Sequence, residues 1–263
     1  MNGVDLSLLV FPFLAGLIVL STHVPLGRTV LSKGIIFIDL AIAQVAALGV
    51  VTAHLFDWAH AGEMNWVTQG AAAVAACLAA AVLTWSGRRW PHLQEALIGM
   101  LFVFAACMGI VLLAHNPRGG EHLKDLLAGQ ILWVGDRQLI GPALLYLPLL
   151  ALLATRRALG DSAFYLVFAL AITASVQLVG VFLVFSSLIA PAVASHRHAG
   201  IKGLMVAYGV GIAGYALGLT LSALFDLPAG PAVASTLCVL ALAGLPGARA
   251  TGARDAPNPG GQR

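Results

Sequence analysis

The chain has 263 residues, of which 60% are hydrophobic and only 10% charged, whereas a soluble domain carries about 25% charged residues. Runs of roughly 20 apolar residues recur along nearly the whole length, each enough to cross a hydrocarbon core of about 30 Å as a helix. This excludes a soluble enzyme, and the formal net charge of +3 reads as a record of membrane orientation, not of a nucleic-acid partner.

In chain order the predicted spans are 6–24, 34–56, 66–86, 92–115, 137–155, 162–178, 180–196, 203–224 and 229–246. The expected class is therefore all-α, a polytopic membrane bundle of eight or nine transmembrane helices. Residues 1–246 form a single transmembrane domain, and 247–263, rich in Gly, Pro, Ala and Arg, form a disordered cytoplasmic tail. The first span follows the acidic start "MNGVD" without a basic n-region or a clear cleavage site, so it reads as a retained span.

With the amino end outside, the inner segments hold Arg28, Lys33, Arg88, Arg89, Arg156, Arg157, Arg197, Lys202, Arg249, Arg254 and Arg263, which is 11 of the 14 basic residues. The outer segments keep Arg118, Lys124 and Arg137 and most of the acids, including Asp57, Glu63, Glu121, Asp125 and Asp226. That asymmetry places the amino terminus outside and the carboxyl terminus in the cytoplasm.

The second span, "KGIIFIDLAIAQVAALGV", contains Asp39 and Gln44. An intramembrane ionisable group is a functional candidate, because an unpaired Asp at the centre of a span costs about 2.5 to 3.5 kcal/mol. Counted from an entry near Gly34, Asp39 lies about 8 Å deep and Gln44 about 15 Å deep. The alternative for Asp39 is structural, as partner of an inner Arg or Lys or as the cap of a broken helix. At about 100° per residue the two side chains diverge by roughly 140°, so without a helix break they do not share an ion.

The longest connection, 115–136, reads as an "NPRGG" turn followed by a short interfacial helix. His54, His60, His115 and His122 lie toward the outer side with Asp57, Glu63, Glu121 and Asp125. Imidazole and carboxylate there suit a borderline divalent cation, although no spacing is diagnostic. The candidate metal contacts are thus Asp39, Gln44, His54, His115 and His122. His92, His196 and His198 read as an inner, solvated set, and Glu95 as a carboxylate at a helix start, facing Arg88 or Arg89. Cys77, Cys107 and Cys238 read as packing residues, and the Gly214/Gly218, Ala207/Gly211 and 70–77 small-residue patterns as close helix packing within the bundle.

Spans 162–178 and 180–196 meet at Gly180 with almost no loop, either as a tight hairpin or with one of them broken or re-entrant. A break at membrane depth must be buried in protein or line a cavity. No nucleotide-binding, zinc-protease or nucleophile-elbow motif is present. A chain of this kind without its own energy source is a channel, a secondary transporter or the membrane part of a multisubunit pump.

Six segments in order, "FPFLAGLIVLSTHVPLG", "KGIIFIDLAIAQVAALGV", "EALIGMLFVFAACMGIVLL", "LLAGQILWVGDRQL", "VGVFLVFSSLIAPAVAS" and "SALFDLPAGPAVASTLCVLAL", resemble the integral-membrane permeases of bacterial zinc and manganese ABC importers. The resemblance covers nearly the whole chain. It implies a type II ABC importer permease fold in the inner membrane and no permanent cofactor, the divalent metal ion being cargo. It also implies a second permease copy of the same or a different kind, a cytoplasmic ABC ATPase, an extracytoplasmic metal-binding protein and no catalysis by the chain itself. The family's usual second-span motif is approximately G-D-x-L-A-H-A. Aligned through "ALGV", its histidine is Gln44 and its aspartate Leu40, with Asp39 one residue earlier. The family's longer cytoplasmic stretch before the sixth span is here only "TRRALGD" (155–161). Iron or iron-chelate permeases, an ion-coupled secondary transporter and a paralogue without transport are the competing readings. A secondary transporter predicts inverted repeats with paired broken helices, and no convincing half-to-half similarity is visible.

Overall fold

A computed structural model describes residues 9–55, 66–114, 129, 131–154 and 160–245. Among them are nine α-helices and no strand: α1 (Val10–Lys33), α2 (Ile38–Leu55), α3 (Trp66–Arg89), α4 (Gln94–Leu113), α5 (Asp136–Ala154), α6 (Asp161–Val179), α7 (Val181–Ala194), α8 (Gly200–Phe225) and α9 (Ala229–Ala243). Helices α1, α3, α4, α6 and α8 are long and apolar enough to cross a membrane, and α2, α5, α7 and α9 are shorter and apolar. All nine predicted spans coincide with a helix.

The first span runs further than its apolar stretch. α1 continues through Pro25 and Arg28 to Lys33 and stops at Gly34, whose φ of 70° is left-handed. Gly34 and Ile35 return their N–H groups to Leu31 and Val30 at 3.3 and 3.4 Å, satisfying carbonyls that a helix end otherwise leaves bare. Pro25 is tolerated because neighbouring helices can satisfy what it breaks.

α1 is the axis of one half of the bundle. It packs on α7 and α8, and more lightly on α5 and α6, while α7 and α8 both pack on α9. Small residues set these approaches. A side chain at Gly27 would overlap the Leu188 carbonyl, one at Gly211 would meet Leu20, and Gly214 and Gly218 seat Leu237 and Val233 of α9. The GxxxG pair therefore packs α8 on α9 inside one chain. In the other half α2 packs on α3, α4 and α6, with Gly49 against Ala71 and Ala75.

The junction of α6 and α7 is a single residue. Gly180 has φ 84° and ψ 163°, a region essentially reserved for glycine. The two helices do not lie along each other as a hairpin: α7 leaves the turn to pack on α1 and α9. At 14 residues it rises only about 21 Å, less than a hydrocarbon core of about 30 Å. It is accordingly enclosed by protein, with Leu183, Val184, Ser187 and Leu188 buried. Gly129, from the stretch between α4 and α5, closes over this turn so tightly that a side chain would overlap the Val179 carbonyl.

The "DLPAGP" segment makes the last turn. Asp226, at φ 51°, caps α8, Ser222 Oγ donates to the Leu227 carbonyl at 2.7 Å, and Pro228 starts α9. Outward positions on α3, α4 and α8, among them Leu78, Met100, Phe104 and Met205, are exposed large apolar groups, as expected for a surface meeting lipid. The three cysteines are free thiols. Of the stretch 115–136, expected to hold an interfacial helix, only Gly129 and residues 131–136 lie within the described residues, with a short 3-10 turn, Ile131–Trp133, leading into α5. The short "TRRALGD" connection and the tail 247–263 lie largely or wholly outside them.

Candidate functional site

The start of α2 is built by the turn that ends α1. Ile38 N–H donates to the Ile35 carbonyl at 3.3 Å, and Ile35 and Ile38 are buried beneath the turn. Glu95, in the first turn of α4, accepts the Phe37 N–H at 3.3 Å. The expected pairing of Glu95 with Arg88 or Arg89 is thus replaced: Arg88 donates to Ser162 Oγ at 2.6 Å, Arg89 lies over the Trp90 ring, and Glu95 ties α4 to the entry of α2. A carboxylate suits the positive end of a helix dipole, and here it also occupies one of the orphan N–H groups.

Asp39 follows in the first turn of α2. Only 1% of its surface is exposed, and neither carboxylate oxygen has a hydrogen-bond partner. Because α2 begins at Ile38, Asp39 sits at the helix end and Gln44 about 7.5 Å further along the axis. The missing partner sets aside the pairing with an inner Arg or Lys as an explanation of the burial. A buried carboxylate without a partner is costly, and in the first turn of α2 Asp39 lies at the positive end of the helix dipole.

Gln44 is also buried. α2 is one uninterrupted helix from Ile38 to Leu55, so the roughly 140° between Asp39 and Gln44 persists, and one ion does not meet both from this helix alone. His54 lies in the last turn of α2, its side chain outside the described set, and His115 and His122 are outside it altogether. Among the described residues no three His, Cys, Asp or Glu side chains converge as a metal site.

One buried titratable residue has no counterpart among the sequence candidates. His23 of α1 is fully buried, its Nδ1 3.2 Å from Thr22 Oγ1 and its Nε2 without a partner. The signal was present in "STHVPLG", an imidazole inside an apolar run. Two further buried hydroxyl pairs link the helices packed on α1. Tyr146 of α5 donates to the Ala171 carbonyl at 3.1 Å and meets Ser175 of α6. Tyr215 of α8 meets Ser187 of α7 at 2.8 Å, its ring lying where a side chain on Gly16 of α1 would be. The core of the bundle is therefore polar at several of its helix contacts, with the serine hydroxyls also bonded to their own helix carbonyls.

The family model described as the ABC 3 transport family matches residues 5–159 and 158–246. The chain belongs to the ABC 3 transport family. Among solved structures, PsaBC from Streptococcus pneumoniae in complex with Fab is similar in fold, with a TM-score of 0.69, 19% identity and 91% of each chain covered. No curated protein matches the sequence. As a member of the ABC 3 transport family, with five helices long and apolar enough to cross a membrane, the chain is an integral-membrane permease subunit of an ABC transporter.

Proposed function

We propose that this permease carries a divalent cation, zinc or manganese, across a bacterial inner membrane as the path-forming subunit of an ATP-driven importer. The observation that supports this is Asp39, a buried carboxylate with both oxygens unpartnered, on the same helix as buried Gln44. Oxygen donors of this kind suit manganese, whereas zinc draws more on imidazole and thiolate. On the sequence, a cytoplasmic ATPase supplies the energy, an extracytoplasmic protein delivers the ion, and a second permease copy completes the path. The excess of basic residues on the inner segments of the sequence supports an outer amino and an inner carboxyl terminus.

Gln44 favours one alternative cargo, iron or an iron chelate, because an amide stands where the zinc and manganese permeases have an imidazole. The deciding experiment co-expresses the chain with the ABC ATPase and binding protein that co-purify with it, reconstitutes the complex in liposomes and follows uptake of manganese, zinc and iron. ATP-dependent uptake of manganese or zinc supports the proposal. ATP hydrolysis by the chain alone, or uptake without the ATPase, overturns it.

A further inference from the structure

Between α3 and α6 the surface holds a groove of about 400 Å³ lined by residues that the metal path does not use. On α3 its wall is Cys77, Ala81, Thr84 and Arg88, spaced three or four apart so that they run down one face of the helix. On α6 it is Ser162 and Leu166, again four apart. Small side chains make the trough, and most of its lining is apolar.

The groove has a direction. From Cys77 to Arg88 the helix rises about 16 Å, roughly half of a hydrocarbon core of about 30 Å. It is therefore one leaflet deep. Its apolar end lies toward the bilayer centre, and its polar end carries the exposed Arg88 guanidinium, which donates to Ser162 Oγ at 2.6 Å. A guanidinium has five donors in a planar fork, so one hydroxyl does not exhaust it, and the fork matches a phosphate. At the same end Trp85 and Trp90 meet edge to face at 5.3 Å, and Arg89 lies 5.9 Å from the Trp90 ring centre. Tryptophan and arginine together mark the headgroup level of a membrane.

We propose that this groove binds an anionic phospholipid of the inner leaflet, an acyl chain lying along Cys77, Ala81 and Leu166 and the phosphate held by Arg88 and Ser162. The charge, the aromatic collar and the one-leaflet length point to a lipid and not to a second protein, which would meet an open guanidinium and a cleft in place of a flat apolar face. Basic pockets between helices on the cytoplasmic side are recognised in this way by anionic headgroups.

The test is native mass spectrometry of the purified full chain, titrated with phosphatidylglycerol and with phosphatidylethanolamine of the same acyl chains. The wild type is expected to bind phosphatidylglycerol about fivefold more tightly, as one basic side chain at an anionic surface supplies. Arg88→Gln should abolish that preference and Arg88→Lys keep most of it. Ala81→Phe, at an exposed groove position, should weaken both lipids alike, which keeps the test open if the Arg88→Gln protein folds poorly. Equal binding of the two lipids by the wild type, or a preference that survives Arg88→Gln, overturns the proposal. So does cross-linking of two chains through Cys77, which would assign the groove to a protein interface.

Discussion

The Tyr208 hydroxyl of α8 donates to the carbonyl oxygen of Ser21 at 3.0 Å, and Ser21 is the residue whose helical N–H partner Pro25 removes. The proline breaks one rung of α1, and the neighbouring helix supplies a replacement donor. Tyr208→Phe should therefore lower stability by about 1 kcal/mol, the cost of losing a half-buried hydrogen bond. With Pro25→Ala the rung is restored, and the same tyrosine change should cost little. Equilibrium unfolding of the four proteins in one detergent checks this, and additive effects would refute the exchange of donors.

Tyr146 and Ser175 form the second such tie, between α5 and α6. Tyr146→Phe and Ser175→Ala are each expected to cost about 1 kcal/mol, and together less than the sum of the two, since they share one interaction. A thermal-unfolding series in constant detergent measures the coupling. Strict additivity would show that each hydroxyl is held by the Ala171 carbonyl alone.

Gly180 holds a backbone conformation that other residues reach only under strain. Gly180→Ala should cost about 1 to 3 kcal/mol, seen as a lower yield of folded protein and a lower thermal midpoint. Gly129→Ala should act similarly for a different reason, the overlap with the Val179 carbonyl. An unchanged midpoint in both would mean that the turn can open without loss.

Asp39→Asn keeps the shape of the side chain and removes its charge. It should reduce metal uptake by the reconstituted importer about tenfold, equivalent to about 1.4 kcal/mol, while the complex still assembles and the binding protein still docks. Unchanged uptake would assign Asp39 to structure, as the acid of the α2 first turn.

Nearly all of the helical framework was legible in the sequence, because apolar runs of membrane length have few other uses. The end of α1 was not. Pro25, Gly27 and Arg28 read as an exit from the membrane, but packing overrode the local signal: Gly27 lets α7 approach and Arg28 donates to the His198 carbonyl at 3.0 Å. The Gly180 junction was visible as two spans without a loop, although only the packing of α7 on α1 and α9 chose between a hairpin and an enclosed short helix. Asp39 was legible as a polar residue out of place. Its lack of a partner was not, since burial and hydrogen bonding depend on side chains distant in sequence. His23 was not legible as a candidate, because no acid or second imidazole neighbours it in sequence and only the packing of α1 shows its Nε2 buried without a partner.

The turn at Gly180 leaves no slack. With one residue between α6 and α7 and Gly129 wedged against the Val179 carbonyl, the two helices meet as rigid rods with no flexible spacer, and glycines form the bearing surfaces of the joint.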